Sequence, residues 1–418
     1  MHQSRLARGA APRGPDLGTL TLVNGSVTLR SKPQPPPLAR IAPDVWLCGP
    51  VAPRIGPSRG GYETANRRLA GLLEGQGVAV RELAYPDTLG AGPLRKLWRY
   101  RAGFGRIRAA LTGAAHWRGD GAETPPILHM TPLLRQFALQ EWRAIRAART
   151  AGLRVVLDLR AGNKLRDLAR WGPGYRGVIG STLSMADALC HEGAEQAADW
   201  AALAPGKPTI WLPNFVAGAE VAGASPRRDA GVIRLIHLGT VSAAKGVPDA
   251  IGVADALVAA GLRVRLDIVG RAAPEYAPTL RAACARRPHL RFHGPLSAAA
   301  VRPLLDRATV FLFLTKWRGE GQSNALTEAM ARGCVPVVTR HGFNASTVGD
   351  CGLLVEDRDD HAAIARRIAA LSRTGASGGR YRLAQAAIAT VEARFTQTAV
   401  LPVLARAYGA AQGDGDVG

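Results

Sequence analysis

Gly319-Glu320-Gly321-Gln322-Ser323-Asn324-Ala325-Leu326-Thr327-Glu328-Ala329-Met330-Ala331-Arg332-Gly333-Cys334-Val335-Pro336-Val337-Val338 is the stretch whose reading decides the fold. Just upstream, Ala308-Thr309-Val310-Phe311-Leu312-Phe313-Leu314 is an apolar run of strand length. Downstream, Val335 to Val338 reads as a second short buried strand. Between them the residue types predict a helix of about two to three turns, with Ser323 or Asn324 as N-cap and Gly333 closing its C-terminus. The sequence therefore specifies one βαβ unit with a Gly-containing loop at its turn.

That loop brings together two kinds of group, backbone N–H donors and carboxylates. The first backbone N–H groups of the helix point outward and favour an anion. Glu320 precedes them and Glu328 follows about one turn inside the helix, with seven residues between the two. Ionised carboxylates only accept hydrogen bonds, so beside a phosphate site they suit hydroxyl-rich rings. Phosphates flanked by such rings describe a nucleotide-sugar.

The pair, with Glu328 opening Glu-Ala-Met-Ala-x-Gly-x-Pro-Val-Val, resembles the signature of retaining glycosyltransferases of the GT-B fold, the group 1 type (glycosyltransferase family 4). The resemblance implies an α/β chain of two Rossmann-like parallel-sheet domains facing an interdomain cleft. It spans about residues 42–410 and is strongest over 235–356.

At 418 residues the chain can hold two or three domains. Its net charge of +22 rests almost entirely on arginine, with six lysines in all, and points to acidic partners. Cys48, Cys190, Cys284, Cys334 and Cys351 form no CxxC pair, which fits a reduced, cytoplasmic setting better than a disulfide framework. The basic N-terminus lacks the apolar core of a secretory signal, and no apolar run reaches membrane-spanning length. Charge alone would also suit a nucleic-acid-binding protein, but no RNA-recognition aromatic motif or zinc finger supports that, and no nucleic-acid partner is expected.

Residues 1–40 read as an Arg/Pro/Gly-rich extension, poorly ordered at both ends, with a β-hairpin over 19–29 around Asn24-Gly25. Residues 41–215 read as an acceptor-binding Rossmann-like domain. Its first strand, Asp44 to Gly49, leads to Gly60-Gly61 at a strand–helix turn, where paired glycines allow close approach to donor phosphates. Pro126 to Met130 is a strand carrying His129, and Arg154 to Leu159 a strand running into Asp158, Arg160 and Asn163. The resemblance places His129 toward the acceptor cleft as a catalytic candidate. Strand ends of an open parallel sheet form the ligand crevice, so Asp158, Arg160 and Asn163 are candidates for acceptor contact, with an Asp–Arg structural pair the competing reading. Val178 to Ser181 and Thr209 to Asn214 read as the last strands.

Residues 88–119 contain no acid and seven basic residues. Leu94, Leu97, Tyr100, Phe104, Ile107 and Leu111 share one side of a helical projection, opposite Arg95, Lys96, Arg99 and Arg106, while Gly103 and Gly105 weaken a single long helix. Such a helix packs on its own sheet and can present arginine to water or to anionic lipid through residues 94–118.

Residues 216–231 read as a linker, and 232–395 as the nucleotide-sugar-binding domain. Strand Ile233 to Gly239 leads through Thr240 to Lys245-Gly246, and Lys245 is placed to neutralise a diphosphate. In the family pattern an Arg stands where this chain has Thr240. The resemblance further implies donor binding by Gly239, Thr240, Gly294, Gly321, Gln322, Ser323, Asn324, Ala325 and Glu328, catalysis by Glu320 and Lys245, and no metal or other cofactor. The C-terminal segment 396–418 is expected to return a helix to the first domain.

The function implied is transfer of a sugar, with retention, from a nucleotide-diphosphate donor to a glycan or lipid-linked acceptor in cell-surface polysaccharide or glycolipid synthesis. Another GT-B enzyme, such as a nucleotide-sugar epimerase, is the alternative. The expected location is the cytoplasm, peripheral to the inner membrane face.

Overall fold

Residues of the first apolar strands alternate between two cores. Val45 and Leu47 face a cluster that holds Leu69, Leu73 and Tyr408, whereas Trp46 and Cys48 face one that holds Phe104, Ile107 and Leu111. Strands buried on both faces are what parallel α/β sheets require. The computed structural model describes residues 21–23, 26–28, 37–53, 60–88, 90, 92–115, 123–160, 162, 164–223, 231–372 and 378–413.

The chain divides into two units, residues 1–36 and 37–418. In the first, β1 (Thr21–Val23) pairs antiparallel with β2 (Ser26–Thr28), Val23 opposite Ser26. The turn residues Asn24 and Gly25 lie outside the described residues, as do the ends of the extension whose order the sequence reading addressed.

The second unit contains two six-stranded parallel sheets. In its first lobe, α1 (Leu38–Ile41) precedes β3 (Asp44–Gly49), α2 (Gly61–Gly75), β4 (Ala79–Ala84), α3 (Pro93–Gly113) and β5 (Ile127–Met130). Then come α4 (Ala138–Thr150), β6 (Arg154–Leu159), α5 (Lys164–Arg170), α6 (Pro173–Ser184), β7 (Ala188–His191), α7 (Ala197–Leu203) and β8 (Thr209–Trp211). The sheet order is β4-β3-β5-β6-β7-β8. Leu38 and Ile41 are buried in the α2 core, so this unit begins at Pro37 rather than at residue 41.

The second lobe runs β9 (Ile233–Leu238), α8 (Val247–Ala259), β10 (Val264–Val269), α9 (Ala277–Ala285), β11 (Leu290–Gly294), α10 (Ala298–Arg307) and β12 (Val310–Phe313). It continues with α11 (Asn324–Ala331), β13 (Val335–Thr339), α12 (Asn344–Val348), β14 (Leu353–Val355), α13 (His361–Ser372) and α14 (Gly379–Arg394). Its order, β11-β10-β9-β12-β13-β14, reverses direction between β9 and β12. In open α/β sheets that switch point is where ligands bind, and the loops after β9 and β12 carry Lys245 and Glu320. The lobes form the GT-B arrangement expected from the sequence.

Two strands of backbone join the lobes. Val216 N–H donates to Phe395 O (2.8 Å), and Gln397 N–H to Val216 O (3.1 Å). The last helix, α15 (Gln397–Gln412), then packs Val400, Leu404 and Tyr408 into the first lobe's core.

Two expectations are corrected. Val178 to Ser181 is not a strand but part of α6. Gly172 and Pro173 start a helix there, and the buried Ile179, Thr182 and Leu183 recur at helical, not strand, spacing. The strand in that region is β7, which fills the sheet between β6 and β8. Gly103 and Gly105 do not interrupt α3, a single helix of 21 residues. Gly103 is there for space, since a Cβ at that position would lie 2.5 Å from Pro86 Cβ, whereas at Gly105 it would meet nothing within 4 Å.

The two positions therefore respond oppositely to the same substitution. Gly103→Ala drives a methyl into a rigid proline ring and lowers unfolding free energy by about 1 kcal/mol or more. Gly105→Ala gains about 0.5–1 kcal/mol from helix propensity alone. Urea denaturation of the two variants checks the signs, and equal effects would contradict the packing assignment.

Candidate functional site

Two helix N-termini meet between the lobes. Gly60 and Gly61 start α2 in the first lobe, Ser323 caps α11 in the second, and Asn324 Nδ2 donates across the gap to Gly61 O (3.1 Å). A Cβ on Gly61 would sit 3.6 Å from Asn324 Nδ2, an ordinary contact, so the bond itself does not demand glycine there. Both helices direct the positive ends of their dipoles at one place. Ser323 Oγ accepts from Leu326 N–H, as an N-cap serine does, and Gly333 takes the left-handed conformation (φ 67°) just past the helix end.

The loops at the sheet's switch point set the charges around that junction. Gly246 has φ 79°, and a Cβ there would lie 2.1 Å from Leu314 O, so glycine is required for the β9 and β12 loops to touch. Lys316 N–H donates to Ala244 O (2.8 Å) and stitches the same two loops. Lys245 is thereby held with its Nζ 2.8 Å from Glu320 Oε2, an oxygen that also accepts from Thr315 Oγ1 (2.9 Å). Glu320 is buried at 7 % exposure. Its lobe-facing backbone O accepts from Gly162 N–H of the first lobe (3.1 Å).

Glu328 is paired across the cleft. Arg68 Nη2, from α2, lies 2.7 Å from Glu328 Oε1 and 3.7 Å from Glu220 Oε2. Burial raises the Glu328 carboxyl above its ordinary range, and Arg68 opposes that rise. Two polar atoms at this junction, Arg68 Nη1 and Asn324 Oδ1, are buried without a hydrogen-bond partner among the described residues.

Gln322 faces away from solvent and grips the other lobe. Its Oε1 accepts from Asn214 N–H (2.7 Å), its backbone O from Asn214 Nδ2 (2.8 Å), and its Nε2 donates to Asn214 O (3.2 Å). Asn214 Nδ2 also donates to Glu192 Oε1 (2.7 Å), and Asn214 Oδ1 accepts from Arg160 Nη1. Arg160 in turn holds Asp158, its Nε 2.7 Å from Asp158 Oδ2. Burial alone would raise the Asp158 carboxyl, but Arg160 and His129 outweigh it and bring the pKa down to about 2.

His129 closes this chain of contacts. Its Nε2 lies 3.4 Å from Asp158 Oδ2 and its Nδ1 3.1 Å from the Tyr408 hydroxyl of α15. The ring is fully buried, inside the lobe rather than at the cleft face where the sequence reading expected it. Asp158 and Arg160 are likewise engaged with each other, as the structural alternative for the pair foresaw. Asn163 lies outside the described residues.

Among the remaining donor-site candidates, Gly239 (φ 136°) ends β9 and Thr240 is exposed beside it. Gly294 ends β11 and accepts a hydrogen bond from Gly270 N–H (2.9 Å), two strands from the switch point. Gly321 and Ala325 flank Gln322 and Ser323 at the start of α11 and are partly exposed.

The sequence reading missed Arg68, although it sits seven residues after Gly61 and so on the same helical face. It also missed Lys164, at the start of α5, whose Nζ donates to Pro132 O (2.6 Å) and to the Tyr62 hydroxyl (3.2 Å). Burial draws its amine down to about 8, against the pull of Glu141 and Glu192. Nothing in its sequence context distinguishes it from an exposed lysine.

Residues 233–374 match the family described as Glycosyl transferases group 1. No curated protein matches the chain by sequence. Solved structures similar to it include sucrose-phosphate synthase from Thermosynechococcus elongatus, at 18 % identity and TM-score 0.64, covering 87 % of this chain and 98 % of that one. HepE of Anabaena, in complex with UDP and glucose, aligns at 14 % identity and TM-score 0.59, covering 87 % of this chain and 98 % of HepE. WaaG, a glycosyltransferase involved in lipopolysaccharide biosynthesis, aligns at 15 % identity and TM-score 0.58, covering 88 % and 100 %. These likenesses show the GT-B fold, and the group 1 match lies over the second lobe.

The interlobe contact at Gly162 is testable by steric wedging, because a Cβ there would lie 2.1 Å from Glu320 O. Gly162→Leu is expected to hold the lobes apart while each stays folded. Small-angle X-ray scattering then shows a larger radius of gyration than wild type at unchanged circular dichroism. An unchanged radius would mean that this contact does not set the lobe separation.

Proposed function

We propose that the chain transfers a sugar from a nucleotide-diphosphate-sugar to an acceptor hydroxyl, with retention of configuration at the sugar carbon. One observation carries the reading. Two helix N-termini meet beside the Arg68–Glu328 pair, the loop leading into one of them carries Glu320 paired with Lys245, and each carboxylate is suited to hydroxyl groups. Arg68 Nη1 and Asn324 Oδ1, buried there without partners among the described residues, are the donor and acceptor such a ligand would meet. The group 1 match over the second lobe supports a glycosyl transferase, and the UDP and UDP-glucose held by HepE support a nucleotide-sugar donor.

In this reading the diphosphate lies at the start of α11, against the N–H groups near Asn324 and Ala325 and the ammonium of Lys245. Arg68 supplies a second cation, a role that Thr240 cannot fill. Glu328 accepts from the ribose hydroxyls, and Glu320 from those of the donor sugar. The bond between the sugar carbon and the diphosphate oxygen breaks as the acceptor oxygen bonds to the same carbon, and the acceptor proton passes to the leaving phosphate. Preorganised N–H groups and cations stabilise charge as it builds on that phosphate.

Glu320 has one oxygen held by both Lys245 and Thr315, which makes it a poor nucleophile and favours attack from the leaving group's own face. His129, Asp158 and Arg160 are assigned to positioning Asn214 and the acceptor-side wall rather than to proton transfer. The reading calls for no metal. A glycan or lipid-linked acceptor and a cytoplasmic site of action, in cell-surface polysaccharide or glycolipid synthesis, complete it. Among the described residues no helix is long and apolar enough to cross a membrane.

A thermal-shift panel of UDP-, GDP- and ADP-sugars selects the donor, and Glu328→Ala then tests the site. Loss of a donor-binding group that acts in the transition state costs about a hundredfold or more in turnover, with the fold retained by circular dichroism. Near-normal turnover in that variant would contradict the assignment.

A further inference from the structure

The face of the first lobe formed by α3 and α4 carries features that the transfer site does not use. The C-terminal half of α3 is anchored in the core through Gly103, Phe104, Ile107 and Leu111. Its first turns are not anchored. Leu94 is 85 % exposed, Leu97 55 % and Trp98 68 %. At spacings of three and four residues these three share one side of the helix. Large apolar side chains clustered in water mark a contact surface.

The charges around them have one sign. α3 holds six basic residues and no acid, and α4 adds Arg143, Arg146 and Arg149 against the single acid Glu141. Glu141 is buried and turned inward, accepting from the N–H groups of Leu133 and Leu134. The nearby acids Asp167 and Asp187 are already in ion pairs with Arg135 and Arg149. Beside the apolar cluster lies a hollow of ≈ 390 Å³ lined by Trp98, Arg101, Arg108 and Arg143. It adjoins a second hollow of ≈ 620 Å³ through the shared Arg108 and Arg143.

We propose that this face docks on an anionic phospholipid bilayer, with Leu94, Leu97 and Trp98 inserted among the acyl chains and lipid phosphates seated in the Arg101–Arg108–Arg143 hollow. The two features need each other. Aliphatic side chains gain by entering hydrocarbon, and a tryptophan beside them sits well at headgroup depth. Guanidinium groups pair with phosphate oxygens through two N–H donors at once. A nucleic acid would use the arginines and could stack a base on Trp98, but it would leave the aliphatic Leu94 and Leu97 in water. A free phosphate would use the hollow and leave the apolar cluster in water. The inference rests on the first lobe alone and stands or falls independently of the donor reading.

The test is flotation of the full chain with phosphatidylcholine vesicles, with and without phosphatidylglycerol, at low and high salt. Wild type is expected to float with the anionic vesicles and to be released by salt. Leu94→Ser with Leu97→Ser, and separately Arg101→Glu with Arg143→Glu, should each weaken that binding by about tenfold or more, since each surface charge contributes about fivefold. All four positions are exposed, so the variants should fold, and circular dichroism verifies it. Bromine-labelled phosphatidylglycerol should quench tryptophan emission in wild type and much less in Trp98→Phe. Equal binding to neutral vesicles, unaltered binding by both variants, or quenching that survives Trp98→Phe would overturn the proposal. So would displacement of the protein from vesicles by millimolar inorganic phosphate or by an RNA oligomer at equal charge, since each would assign the arginines to a soluble ligand.

Discussion

The joint between the lobes centres on how Asn214 is held. Its backbone N–H, its backbone O and its side-chain amide all bond to Gln322, while its side-chain oxygen reaches Arg160. Gln322 lies two residues from Glu320 and begins the turn into α11. The same asparagine stands at the end of the β8 segment that leads into the crossing strand at Val216. One residue thus fixes the hinge, the loop that carries the first carboxylate and the start of the helix that carries the second. Behind it, Arg160, Asp158, His129 and Tyr408 extend the contact to the helix that closes the chain. Neutral hydrogen bonds of this kind contribute only about 1 kcal/mol each. The joint is therefore specific in geometry without locking the lobes.

The charges facing the cleft follow from two further close approaches. Lys245 and Glu320 are brought together by loops that touch only because Gly246 lacks a side chain. Arg68 and Glu328 meet because α2 and α11 point their N-termini at one another. Each carboxylate has a cation beside it, Lys245 at Glu320 and Arg68 at Glu328 with Glu220 further off, so neither is buried unpaired. In the proposed reading, an incoming diphosphate would compete for the cations and its sugar hydroxyls for the carboxylates, so both halves of each pair would gain a new partner together. The large excess of arginine over acid elsewhere has its clearest expression on α3 and α4, well apart from these pairs in sequence.

Much of this was legible in the residues. The apolar runs before and after Glu320 and Glu328 gave the βαβ unit, and Ser323 and Gly333 marked the ends of its helix. Lys245 was identified by its place after β9 in a strand–loop–helix pattern. What the residues did not reveal was tertiary. The stretch Val178 to Ser181 fits strand and helix equally, and only the packing of Ile179 and Leu183 in the core that α4 shares decides. Gly103 looked like a helix breaker because the proline it must accommodate lies 17 positions away in sequence. Gln322 read as a donor-binding residue, and its hydrogen-bond partner Asn214 is 108 residues away across the hinge. His129 has the composition of a catalytic group, and its burial between Asp158 and Tyr408 is set by a helix nearly 280 residues later. Local pattern specifies elements, and contacts distant in sequence assign their side chains.

The most direct measurement is a crystal structure of the chain with the nucleotide-sugar that stabilises it most. The account predicts the diphosphate at the N-terminus of α11, within hydrogen-bonding reach of the Asn324 and Ala325 N–H groups, with Lys245 turned from Glu320 onto a phosphate oxygen and Glu328 on the ribose. A nucleotide bound elsewhere, with the Lys245–Glu320 and Arg68–Glu328 pairs both intact, would contradict it.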